Sequence, residues 1–136
     1  RREPVMPNRL CARLYGFAGN VSSGGDLMAI IGRWTSPTLI FKMPFDARAA
    51  SKLSIAFKQA NYPTEDRDLL FEKTLTDCVI NETEIRVELG EEETARLCAD
   101  RLTPIYMQIR LVLGGKSLES RFIQADPYLV LKDGAL

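Results

Sequence analysis

The sequence predicts an all-β domain, an antiparallel immunoglobulin-like β-sandwich of about seven strands with one short helix. Three observations predict it. Short apolar runs alternate with polar residues at a period of two, most strictly in Lys52–Gln59 and Ile105–Leu113. Turn-forming residues separate these runs at close intervals. Only the stretch after Gly90 has the acid-rich start expected of a helix. At 136 residues the chain has the length of one domain.

Taken in order, Thr38–Met43 places Leu39, Phe41 and Met43 on one face, and Pro44 ends the strand because it has no N–H to give. Ile40 makes the opposite face partly apolar, so that face is expected to be covered by another chain or by the N-terminal segment. Lys52–Gln59 sends Leu53, Ile55 and Phe57 inward. After the polar turn Asn61–Asp66, residues 69–75 read as a third strand. Cys78–Ile80 and Ile85–Leu89 flank Asn81–Glu84 as a hairpin, and Glu91–Cys98 reads as the short helix. Ile105–Leu113 directs Ile105, Met107, Ile109, Leu111 and Leu113 to one side and is the strongest strand pattern in the chain. Gly114–Gly115 can turn it at positive φ into a partner over 117–125. Asp126–Pro127 is expected to break the chain before a last strand, Tyr128–Leu131, and Asp133–Gly134 to form a closing turn.

Residues 1–27 have a different character. They begin with arginine, contain Gly16, Gly19, Gly24 and Gly25, and show no sustained period. They are expected to be an unstructured or non-native N-terminal extension, with the β-sandwich domain over 28–136. Ser23–Met28 can be encoded by TCA-GGA-GGT-GAT-TTA-ATG, which places a bacterial ribosome-binding sequence before a start codon at Met28. The extension holds four of the 18 basic residues and two of the 18 acidic ones, so 28–136 carries 14 and 16, a net formal charge of about −2.

Composition narrows the function. The full chain has zero formal charge, giving no basic field to gather nucleic acid or anionic lipid. It has no histidine, the usual general base and the commonest zinc ligand. Cys11, Cys78 and Cys98 form no CxxC pair and are expected to be free thiols in a reduced compartment, Cys78 and Cys98 buried among apolar neighbours. The apolar runs fall well short of the ~20 residues of a membrane span. Arg13 interrupts the N-terminal apolar region, against a signal peptide.

Candidate chemistry is sparse. Glu91, Glu92 and Glu93 suit the first turn of a helix, and adjacent helical residues point in different directions. Asp66 and Asp68 lack the glycine and glutamate of a calcium loop. Gly24–Gly25 and Gly114–Gly115 lack the lysine of a phosphate loop. No catalytic residue, metal ligand or cofactor is expected, and the chain reads as a non-enzyme. Trp34, Tyr62, Tyr106 and Tyr128 are the aromatic residues from which a platform for a sugar or partner could be built, with cross-strand packing or subunit contact the preferred account. Ile40, Tyr106 and Val112 are the first candidates for an assembly interface, being apolar or aromatic on faces that alternation assigns outward.

Several short blocks, in order, resemble small structural proteins encoded in the tail and baseplate regions of phages and prophages of Gram-positive bacteria. They are Pro37-Thr38-Leu39 through Pro44-Phe45-Asp46, Phe57-Lys58-Gln59, Glu72 through Cys78, Leu89 through Glu92-Glu93-Thr94, Gln108-Ile109-Arg110-Leu111 and Leu131-Lys132-Asp133-Gly134. A looser resemblance extends to the N-terminal β-sandwich of baseplate upper proteins. It implies a structural or adaptor protein of the virion tail, assembled in the bacterial cytoplasm. The partners implied are other tail or baseplate proteins, in a homo-oligomer or hetero-assembly, without nucleic acid or membrane. The alternative is a small β-sandwich module that binds carbohydrate or a host protein.

Overall fold

A computed structural model of the chain describes residues 11–15, 29–98, 103–128 and 134. The described residues form an all-β fold of ten strands in two sheets that share one core. The strands are β1 (Cys11–Tyr15), β2 (Ala29–Gly32), β3 (Thr38–Lys42), β4 (Lys52–Gln59), β5 (Phe71–Thr74), β6 (Cys78–Ile80), β7 (Glu84–Glu88), β8 (Ile105–Leu113), β9 (Lys116–Glu119) and β10 (Ile123–Tyr128). A 3-10 turn spans Leu75–Asp77, and α1 is a single turn, Glu91–Thr94. One sheet has the order β1-β3-β7-β6, and the other β2-β10-β8-β4-β5 with β9 also paired to β8.

Alternation explains the core. On β4 and β8 the inward residues meet in register, Leu53 opposite Leu111, Ile55 opposite Ile109 and Phe57 opposite Met107, and all six are buried. From the facing sheet, Leu39 opposite Val87 and Phe41 opposite Ile85 close the other side of the same cluster. Phe57 also stacks on Phe71 at 4.6 Å between ring centroids.

The return strand departs from the single segment expected over 117–125. In β8–β9, Arg110 pairs with Glu119 and Leu111 with Leu118; in β8–β10, Met107 pairs with Ile123 and Ile105 with Ala125. The two registers differ by one residue, the signature of a β-bulge at 120–122. Buried Ser120 bridges it: its Oγ accepts the Ile109 N–H (2.9 Å) and donates to the Arg121 carbonyl (2.7 Å). The bulge moves the inward parity from Leu118 to Ile123 and Ala125, so both halves keep an apolar face on the core.

Asp126–Pro127 does not break the chain as expected; both residues lie inside β10, which runs parallel to β2 with Pro127 opposite Ile31. Pro127 is accommodated because β8 pairing has already ended at Ile105–Ala125, leaving no antiparallel partner that needs its N–H. The expected strand Tyr128–Leu131 therefore begins at the last residue of β10, and 129–131 lie outside the described residues. Gly134, in the expected closing turn, has φ of +113°.

Two strands come from stretches with no strand reading. Cys11–Tyr15, inside the segment expected to be unstructured or non-native, runs parallel to β3, and Ala29–Gly32 runs parallel to β10. Each is an edge strand of its sheet, and β1 approaches β2. No helix among the described residues is long and apolar enough to cross a membrane.

Candidate interaction surface

The outer face of the six-stranded sheet is organised by β8, whose outward residues Tyr106, Gln108, Arg110 and Val112 alternate with the buried row. Cross-strand neighbours from β4 are Lys58 opposite Tyr106, Ala56 opposite Gln108, Ser54 opposite Arg110 and Lys52 opposite Val112. On the other flank stand Gln124 opposite Tyr106, Glu119 opposite Arg110 and Ser117 opposite Val112. β5 extends the face with Thr74 and Glu72, whose carboxylate accepts a hydrogen bond from the Ser54 hydroxyl at 2.5 Å. Lys52, Ser54, Arg110, Val112 and Ser117 line a shallow groove of about 310 Å³. This face therefore presents three cations, two carboxylates and a partly buried tyrosine in one ordered array, the composition of a polar interface rim around small apolar spots.

Of the three residues expected at an interface, Tyr106 and Val112 lie on this face and are half-buried by their cross-strand neighbours. Ile40 is a correction. It does point away from the main core cluster, but it is only 2% exposed, so it is not an open contact residue. Alternation assigns a side chain to a face; it does not say whether that face is covered. Among the described side chains, Val79 is an exposed apolar residue on this outer face, 65% exposed on the edge strand β6 and opposite Arg86.

The four aromatics of the expected platform occupy separate elements. Trp34 is in the β2–β3 turn, Tyr62 is exposed in the β4–β5 loop, Tyr106 is on β8 and Tyr128 ends β10. Asp66 and Asp68 are exposed in the β4–β5 loop, and Glu91–Glu93 form α1, where the Glu93 carboxylate accepts the Gly90 N–H (2.9 Å) and an ion pair from Lys73 (2.7 Å). No group of three or more potential metal ligands exists among the described residues.

Sequence reasoning missed the condition of Trp34. Its backbone has φ of +63°, the left-handed region that a bulky residue rarely adopts, and its buried indole N–H has no hydrogen-bond partner. The first costs about 1–3 kcal/mol, and the second about 1–3 kcal/mol for an unmade buried bond. Nothing in Gly32-Arg33-Trp34-Thr35 marks this, because a glycine, not a tryptophan, is the residue that signals positive φ.

Cys78 is a half-buried free thiol whose Sγ approaches the Thr74 carbonyl at 3.4 Å. Burial, reinforced by the neighbouring Asp77 carboxylate, pushes its pKa up to about 11. The thiolate fraction at mild alkaline pH falls about a hundredfold for this shift, while the greater nucleophilicity of a more basic thiolate restores about tenfold. Alkylation of Cys78 at pH 8 is therefore expected to run at least about tenfold slower than that of an unstructured cysteine peptide, read by mass spectrometry of the labelled peptide. Labelling at the peptide's rate would show that the thiol is not held in this environment.

Three carboxylates are held below their usual range by hydrogen bonds: Asp46 by the Arg48 side chain, Glu65 by the Asn61 backbone and Asp77 by the Thr74 backbone. A carboxyl depressed in the fold adds stability that is present above its unfolded pKa and lost as pH falls through its folded one. The melting temperature is expected to fall below about pH 4, and the triple variant Asp46→Asn, Glu65→Gln, Asp77→Asn to show a smaller fall between pH 7 and pH 3. An equal fall in both proteins would remove these three groups as its source.

No family model matches the chain, and no curated protein matches it. Among solved structures, the chain is similar to the N-terminal domain of ORF48 of phage TP901-1, at a TM-score of 0.47 and 8% identity, over 88% of this chain and 98% of that one.

Proposed function

We propose that this chain is a structural or adaptor protein of a phage or prophage tail or baseplate, acting through protein–protein assembly and without catalysis. The observation that carries this reading is the order in which the phage-like sequence blocks fall along the fold. Pro37 through Asp46 brackets β3, Phe57–Gln59 ends β4, Glu72–Cys78 runs from β5 to the start of β6, Leu89–Thr94 leads into and contains α1, and Gln108–Leu111 lies in β8. The resemblance thus follows the elements that build the sandwich rather than one loop. A rigid two-sheet block suits a part that works by docking, since side chains on paired strands are held in fixed positions.

On this reading the outer face of the six-stranded sheet is the docking surface, with Tyr106 and Val112 as its apolar contacts and Lys52 and Arg110 beside them. The assembled form belongs to the virion tail, put together in the bacterial cytoplasm. The test is composition of purified particles from the host lysate: the chain is expected in tails at a fixed copy number, and its absence from washed particles would overturn the proposal. In particles that do contain it, the double variant Tyr106→Asp, Val112→Asp is expected to abolish incorporation. Because both positions are half-exposed, the purified variant should fold within about 1 kcal/mol of the parent. Normal incorporation would move the docking surface elsewhere.

A further inference from the structure

The three cations on the outer face of the six-stranded sheet differ in what holds them. Lys58 donates through Nζ to the Glu65 carbonyl (2.9 Å). Lys52 and Arg110 have no side-chain hydrogen bond or ion pair among the described residues, although Glu119 stands directly opposite Arg110. Both are exposed, and both line the shallow groove across β4, β8 and β9, whose lining includes no carboxylate. Register fixes their spacing. Lys52 lies opposite Val112 and Arg110 opposite Ser54, so the two cations are diagonal neighbours on adjacent antiparallel strands, with about 7–8 Å between them. Val112 and the exposed Ser117 complete the groove beside them.

We propose that this groove takes an acidic segment of the docked protein, an extended stretch whose two carboxylates, two residues apart, pair with Lys52 and Arg110. The inference rests on the docking reading above and supplies the chemistry of the partner. Side chains at i and i+2 of an extended chain point the same way and sit about 7 Å apart, which matches the diagonal between the two cations. Arg110 can hold one carboxylate with two parallel N–H donors, while Lys52 meets the other as a point charge. A long polyanion such as nucleic acid does not match this face. It needs a run of cations along its backbone, whereas Glu119 and Glu72 flank the groove and residues 28–136 carry 14 basic against 16 acidic side chains. Two unpaired cations on a face of otherwise balanced charge are complementary to two carboxylates.

The probe is a capped peptide, Gly-Ser-Glu-Val-Glu-Ser-Gly, titrated into the isotope-labelled full chain and followed by amide NMR. Shifts are expected at Lys52, Ser54, Arg110, Val112 and Ser117. Glutamine in place of both peptide glutamates, or the double variant Lys52→Gln, Arg110→Gln in the chain, is expected to weaken binding about tenfold. Oligothymidylate is expected to leave these amides unmoved. Absence of binding, equal binding of the glutamine peptide, or occupation of the groove by oligothymidylate would each overturn the proposal. In particles, Lys52→Glu, Arg110→Glu is expected to abolish incorporation while melting as the parent does. If that chain incorporates normally and Tyr106→Asp, Val112→Asp does not, the acidic partner is refuted and the docking surface stands. If both incorporate normally, the docking surface itself is refuted.

Discussion

Phe57→Ala is expected to remove about 3–5 kcal/mol of folding stability, the largest loss from any single truncation in the core. Phe57 is fully buried on β4, between β8 and the edge strand β5, where it lies opposite Met107 on one side and Phe71 on the other. Truncation removes the ring's transfer from water and its stacking on Phe71 at 4.6 Å, and it leaves a cavity between paired strands that cannot slide together without breaking two ladders. Since a domain of this size has about 5–15 kcal/mol in hand, the variant should be largely unfolded well below the parent's midpoint in urea. Phe57→Leu, which keeps most of the volume, is expected to cost less than half as much. Equal losses for the two variants would show that the ring's shape, not the filled volume, sets the cost.

The parts of this fold that were legible in the sequence are those where one face is buried and the other solvated. β4 and β8 alternate without error because each has the core on one side and the open polar face on the other. The edge strands β1 and β2 were not legible for opposite reasons. β2 is the continuous run Ala29-Ile30-Ile31-Gly32, too short to show a period, and β1 lies in a glycine-rich stretch and gains its place only by parallel pairing with β3, a long-range contact with no local signal. The bulge at 120–122 was hidden for another reason. A one-residue slip leaves local alternation intact on each side and changes only the partner, so Ser117–Ala125 reads as one strand.

The candidate surface was legible in the same partial way. Tyr106 and Val112 fall on the face that alternation assigned them, because β8 is an inner strand whose buried row is confined to its other face. The pattern places Ile40 on an outer face just as clearly, yet it is buried, and alternation alone does not report cover. Trp34 was visible only as an aromatic residue; its φ and its unpaired N–H arise from Arg33 and Thr35 being tied to residues about 60 positions away, which no local window contains.

Gln59→Leu is expected to cost about 2–5 kcal/mol although it makes the core more apolar. Gln59 ends the inward row of β4 and is 7% exposed. Its Nε2 donates to the Thr103 carbonyl (2.9 Å), and its Oε1 accepts the Cys98 N–H (2.8 Å). One carboxamide therefore ties two points of the connection between α1 and β8 to the sheet. Leucine has nearly the same volume, so the packing loss is small, but it deprives a backbone donor and a backbone acceptor of these bonds. Each buried group left unsatisfied costs about 1–3 kcal/mol. Gln59→Glu separates the two bonds: the carboxylate still accepts from Cys98 but sets a second acceptor against the Thr103 carbonyl. Its loss is expected to grow as pH rises and the buried carboxyl ionises, whereas the loss in Gln59→Leu should not vary with pH. Urea unfolding of both variants at pH 5 and pH 8 checks this, and a leucine variant within about 1 kcal/mol of the parent would mean that water or a shifted backbone satisfies Cys98 and Thr103 without Gln59.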